Sequence, residues 1–226
     1  MTFYHVSFND KDLAKKLGAK FNFDLKLWYA PNDAVSSAMS AQFKPMADDE
    51  VDDLRLVMGL EELKGEDRSF GGNGLFVDLI PASCFFKNVR SDIKESHWRV
   101  LSKLVRARAG GQCEICGAAE DPESGNYLDA HELWHYDNAT RVQKLMRIVS
   151  LCKSCHLYTH MGYANIQGKA EEAIAHKIKV SGLSRAEVDQ EIEAAFKLWE
   201  QRNRGSWKLD LGILTDSGVR VLLKGK

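Results

Sequence analysis

The sequence predicts an α+β protein with a zinc-stapled core, a helical C-terminal extension and a small N-terminal β-α-β-β module. Three observations carry that expectation. Two Cys-x-x-Cys pairs, Cys113/Cys116 and Cys152/Cys155, are separated by 35 residues, a spacing that closes a four-thiolate tetrahedral site. Apolar residues recur at helical spacing before this block (Trp98, Leu101, Leu104, Val105) and after it (Val188, Ile192, Ala195, Phe196, Trp199). The first 33 residues alternate short aromatic runs with one polar helical stretch.

The N-terminal module is residues 1–33. Phe3–Phe8 reads as a strand and Asn9–Leu17 as a helix with acids in its first turn. Gly18 ends that helix, and Lys20–Asp24 with Lys26–Ala30 make a hairpin. Its Leu-Gly-Ala and Lys-Leu-Trp-Tyr-Ala-Pro runs resemble a short accessory module of some plasmid- and phage-encoded proteins, a likeness that implies no activity. Phe21, Phe23, Trp28 and Tyr29 suit either a tiny core or a stacking surface for single strands.

Residues 34–74 are polar, acidic and glycine-spotted, and read as a linker carrying one helix around Asp49–Leu63. Residues 75–226 form the main domain. Leu75–Ile80 is a strand-like apolar run stopped by Pro81, and Ser96–Ala109 is a helix broken by Gly110-Gly111 just before Cys113. After the metal block, Gly168–Val180 is weakly helical. Ser184 with Glu187 forms a capping box opening a stronger helix, whose apolar stripe is core. Trp207–Leu214 alternates like a strand.

Bulk properties narrow the class. At 226 residues, 44% hydrophobic and 28% charged, the chain suits one large or two small globular domains. No apolar run approaches the ~20 residues of a membrane span, so no membrane partner is expected. The opening Met-Thr-Phe-Tyr-His is too short and polar for a secretory signal. Four of five cysteines sit at metal-ligand spacing, which points to a reduced, cytoplasmic compartment; Cys84 reads as an inert core thiol. A net charge of −1 argues against a uniformly basic nucleic-acid binder, yet the charge is uneven. Residues 48–67 hold nine acids against Arg55 and Lys64. Residues 99–108 hold Arg99, Lys103, Arg106 and Arg108 with no acid, beside the first cysteine pair, where a phosphate backbone or plain solvent would meet them.

Between the cysteine pairs runs Asp129-Ala-His131-Glu132-Leu-Trp-His135, and just after the second pair His156 and His160 share a helix face. The spacing suggests two metals, one sulfur-bound and structural, one nitrogen-bound and open to water. The run Leu151-Cys-Lys-Ser-Cys-His-Leu-Tyr-Thr-His160, with the first Cys-x-x-Cys, resembles the cysteine-bearing branch of the HNH nuclease family over about 50 residues. The wider segment Leu75–Leu214, including Cys84–Arg90 and His131–Trp134, also resembles HNH-type bacterial proteins. The resemblance implies a ββα-metal fold and metal-dependent hydrolysis of phosphodiester bonds in DNA. It implies structural Zn²⁺ on Cys113, Cys116, Cys152 and Cys155, and a divalent ion (Mg²⁺, Mn²⁺, Ni²⁺ or Zn²⁺) held by His131, His156 and His160.

Two departures leave alternatives open. The family's strand places a metal-binding acid or histidine directly before the general-base histidine. One alignment makes His131 the ligand and Glu132 the base, at an ordinary pKa of ~4.3. The other makes His131 the base and leaves Asp129 or His135 to bind the metal. The family's asparagine is replaced by Arg147, a further cation that would join Lys103, Arg106 and Arg108 on a phosphate backbone. A homodimer is compatible with cutting both strands. The rival expectation is a catalytically inactive, zinc-stabilised protein that binds nucleic acid or another protein.

Overall fold

The computed structural model describes residues 1–85 and 88–222; Phe86 and Lys87 of the Cys84–Arg90 run lie outside the described residues. The chain divides into two units, Met1–Gly59 and Leu60–Lys226.

In the first unit, β1 (Thr2–Tyr4), α1 (Lys11–Lys16), β2 (Lys20–Asn22) and β3 (Leu27–Ala30) follow the expected order. The strands form an antiparallel sheet in the order β1-β3-β2. Gly18 takes a φ of +88° at the end of α1, where a Cβ would approach Val35 at 3.1 Å. The stretch expected as a linker with one helix instead carries two, α2 (Asp33–Ser40) and α3 (Asp48–Met58). Asn32 caps α2 by accepting the Val35 N–H at 3.0 Å. Met39 and Phe43 then close the core over Tyr4, Ala14, Ala19 and Ala30.

In the second unit, α4 (Val89–Asp92) leads into α5 (Glu95–Arg108), which buries His97, Leu101 and Val105. Then β4 (Asp129–Asp137) and β5 (Val142–Leu151) form a long antiparallel hairpin. A register shift at Leu133/Trp134 leaves Met146 without a partner on β4, so Leu133 and Trp134 are both buried. The hairpin runs into α6 (Lys153–Thr159), α7 (Met161–Ile166), α8 (Ala170–Ser181) and α9 (Arg185–Arg202). The Ser184–Glu187 capping box forms, and Val188, Ile192 and Phe196 pack on the core. The last strand, β6 (Lys208–Asp210), pairs parallel to β5, and α10 (Gly212–Thr215) replaces the rest of the expected strand.

Leu75–Ile80, expected to be strand-like, belongs to no strand. Its backbone is pinned to helices: Lys177 Nζ donates to the Leu75 carbonyl at 2.6 Å, Asp78 N–H donates to Thr159 O at 2.9 Å, and Trp199 Nε1 donates to Ile80 O at 2.9 Å. These partners satisfy polar groups that a sheet would otherwise take.

Two candidate metal centres

The first cysteine pair sits in a tight knuckle. Gly117, at a φ of +73°, donates its N–H to Cys113 O, and Cys113 N–H reaches Ala118 O, both at 2.9 Å. Glu114 N–H to Ser150 O, also 2.9 Å, ties the knuckle to the end of β5. Cys152 is the N-cap of α6, which brings the second pair onto the helix's first turn. The four Sγ atoms lie within 4.8 Å of one another, with Cys116 and Cys152 at 3.6 Å. Thiolates on a tetrahedral zinc stand about 3.8 Å apart, from Zn–S bonds of ~2.3 Å, so the set fits such an ion. Hydrogen bonds from Cys152 and Cys155 hold the Cys113 thiol far below its usual range, and the same sharing pushes Cys152 up to about 11. His176, 21 residues beyond Cys155 on α8, also reaches the sulfurs. Its Nε2 lies 3.1 Å from Cys155 Sγ, where it orients a sulfur ligand.

The second cluster joins β4 to α6. Ligand atoms of His131, His156 and His160 also lie within 4.8 Å of one another, and Nε2 of His156 and of His160 are 3.0 Å apart. The three ring centroids are separated by 4.6 to 5.2 Å. His131 is 2% exposed, and neither of its ring nitrogens has a hydrogen-bond partner. A buried polar atom left unpaired costs about 1–3 kcal/mol, which a cation among the three imidazoles would relieve. Burial and the neighbouring His160 and His156 push His131 well below its usual range; burial and His156 bring His160 down to about 4. Both shifts favour the neutral imidazole, the form that binds a metal. This set fits a divalent ion.

Carboxylates surround the imidazoles. His156 donates Nδ1–H to Asp129 at 2.9 Å, which leaves Nε2 with its lone pair facing the cluster. Burial pushes the Asp129 carboxyl up, but the hydrogen bonds from His156 and from Lys153 (2.5 Å) outweigh it and hold it below the usual range. Asp129 therefore braces His156. Glu132, on the opposite strand face, is half-buried; desolvation raises its carboxyl although the backbone N–H of Val89 opposes the shift. His135 is exposed beyond the bulge, edge-on to Phe70 at 6.3 Å, and takes no part in the cluster. Asp78, inside the apolar run Leu75–Ile80, stands 3.9 Å from His131 Nε2. Burial pushes its carboxyl up to about 7, against the pull of Tyr136 and Arg202.

The expected phosphate contacts separate into two kinds. Lys103 is exposed, and Arg106 is half-buried, stacked on Tyr127 at 5.4 Å and 3.7 Å from Glu120. Arg108 and Arg147 turn inward, against the surface role expected of them. Arg108 makes a two-pronged pair with buried Glu66 at 2.5 and 2.6 Å and also donates to Ile148 O. Arg147, 3% exposed, pairs with Glu114 and donates to Phe70 O at 3.3 Å. Both sit at or beside β5, where an unpaired guanidinium would cost several kcal/mol, so each took an internal acid.

Fold and sites together define an α+β protein with two separate clusters able to hold metal ions, one of sulfur and one of nitrogen. Among the described residues, no helix is long and apolar enough to cross a membrane. Residues 1–44 match a family described as a domain of unknown function, DUF5710. The match spans β1 to α2 and the buried Phe43 that follows, and so extends beyond the expected module of residues 1–33. No curated protein and no solved structure matches the chain.

Proposed function

We propose that the second unit is an HNH-type endonuclease that hydrolyses phosphodiester bonds in DNA. One observation carries the reading: His131, His156 and His160 converge on a strand-hairpin-helix unit, apart from the four sulfurs. A divalent ion held by these nitrogens would supply Lewis acidity toward a phosphate oxygen. Asp129 fixes the His156 tautomer so that Nε2 serves this purpose. Placing His131 among the ligands leaves Glu132 as the expected proton acceptor, and its raised pKa makes it a better base near neutral pH than a free glutamate. Lys103 and Arg106 remain as cations for the DNA backbone. Three imidazoles suit Zn²⁺ or Ni²⁺ better than Mn²⁺ or Mg²⁺.

The test is plasmid nicking by the full chain in each of these four ions. Cleavage should fall at least 100-fold in His160→Ala and in Glu132→Gln, with the sulfur-bound zinc retained. A second reading, a zinc-stabilised binding protein that does not cut, draws on Arg147. It occupies the place of the family's asparagine and is committed to Glu114. DNA binding without nicking in any of the four ions would select that reading.

A further inference from the structure

We propose that Asp78 is the fourth protein group of the nitrogen centre, a carboxylate that supplies the negative charge three neutral imidazoles lack. The inference rests on reading that cluster as a metal site, and it adds a residue from outside the hairpin and helix that carry the histidines.

The placement of Asp78 is over-determined. Its backbone N–H donates to Thr159 O at 2.9 Å, one residue before His160. Its Oδ1 accepts the Tyr136 hydroxyl at 3.1 Å, from the same strand as His131. The residue is thereby tied to both elements that deliver imidazoles. Tyr136 is itself held by the Arg202 guanidinium over its ring at 3.7 Å and by the edge of Trp207 at 5.6 Å. With Oδ1 engaged, Oδ2 is left facing His131 Nε2 at 3.9 Å, too far for a hydrogen bond. Asp78 is 8% exposed, and Oδ2 has no hydrogen-bond partner. Two unpaired buried polar partners, a carboxylate oxygen and an imidazole, face one another across a gap.

Charge balance explains why a carboxylate belongs there. Neutral imidazoles leave a bound dication with its full charge in a buried setting, where uncompensated charge is costly. Asp129 offsets it only partly, because Lys153 lies on the same carboxylate at 2.5 Å. Glu132 feels His156 as well as Arg90, but the proposed reaction needs it as a proton acceptor and not as a fixed counter-charge. Among the described residues, Asp78 has Arg202 behind Tyr136 and no Lys or Arg within ion-pair distance. It can complete the centre either as a ligand or by bracing His131, and both raise metal affinity.

The test uses the full chain carrying one zinc equivalent on its thiolates, titrated with Co²⁺ by calorimetry and visible absorption. Asp78→Asn keeps the shape and an acceptor for Tyr136 but removes the charge. It should weaken the second Co²⁺ site about 10–100-fold and change its d–d bands, with zinc content and melting temperature unaltered. Asp78→Glu, which keeps the charge, should bind nearer to wild type and guards against a folding defect in the amide variant. Second-site affinity within twofold of wild type in Asp78→Asn, with unchanged bands, overturns the role of Asp78 alone. A wild-type chain that binds no second Co²⁺ overturns the metal reading of the imidazoles, and this inference with it.

Discussion

The sulfur and nitrogen clusters are served by the same seven-residue helix, α6, yet they differ in how complete they are. Four sulfurs, from one knuckle and the start of a helix, would take all four positions of a tetrahedral ion and leave none for a reactant, as in a structural site. Three imidazoles fill fewer positions, are drawn from a strand and a helix, and are edged by carboxylates. The contrast teaches that proximity of ligands says little about role. Role follows from how many positions the protein itself occupies and which charges stand behind them.

Stability measurements can break this contrast. The largest effect is expected at sulfur. Cys155→Ser should cost several kcal/mol and erase the cooperative unfolding of the second unit, followed by circular dichroism, because an ion held there would substitute for core. An equal loss in His160→Ala would erase the distinction between the centres.

Next in size is Arg147→Ala, which should lower stability by roughly 3–5 kcal/mol in denaturant titration, since Glu114 is left unpaired. Its DNA affinity should keep the wild-type salt slope, whereas Lys103→Ala, at an exposed cation, should flatten that slope with little loss of stability. The reverse pattern would return Arg147 to the surface role expected from the sequence.

His176→Ala should weaken zinc at the thiolates by about 10–100-fold, read by competition with a chromogenic chelator, and leave the second site alone. The smallest effect is acid sensitivity, with zinc on the thiolates and no second ion added. His160 titrates at about 4 when folded against an ordinary 6.5, so the unfolded chain binds its proton first. The stability this residue contributes is present above pH 6.5 and disappears as pH falls toward 4. His160→Gln should flatten that part of the profile, and an unchanged profile would remove His160 as its source.

What the sequence reveals depends on how local the determining physics is. The cysteine pairs, the His156/His160 spacing and the Ser184–Glu187 cap depend on neighbours a few residues away, and all three stand in the structure. The convergence of His131 with the helix depends on the pairing of β4 with β5, a hairpin that in the sequence only the family resemblance implies. Asp78 was illegible because its partners, Tyr136, Thr159 and His131, lie more than fifty residues on. A single acid inside the apolar run Leu75–Ile80 was the one signal available. Arg108 and Arg147 misled for the same reason: Glu66 and Glu114, the acids that claim them, are distant in sequence or hidden in a knuckle.

Cys155 and His156 are consecutive, so one peptide bond joins the last sulfur donor to the first imidazole of α6. Oxidation of the thiols, or theft of their ion by a strong chelator, would loosen the helix start that aims His156 and His160. Peroxide should therefore silence the nitrogen centre without modifying any of its own side chains, and a thiol reductant with fresh zinc should restore it.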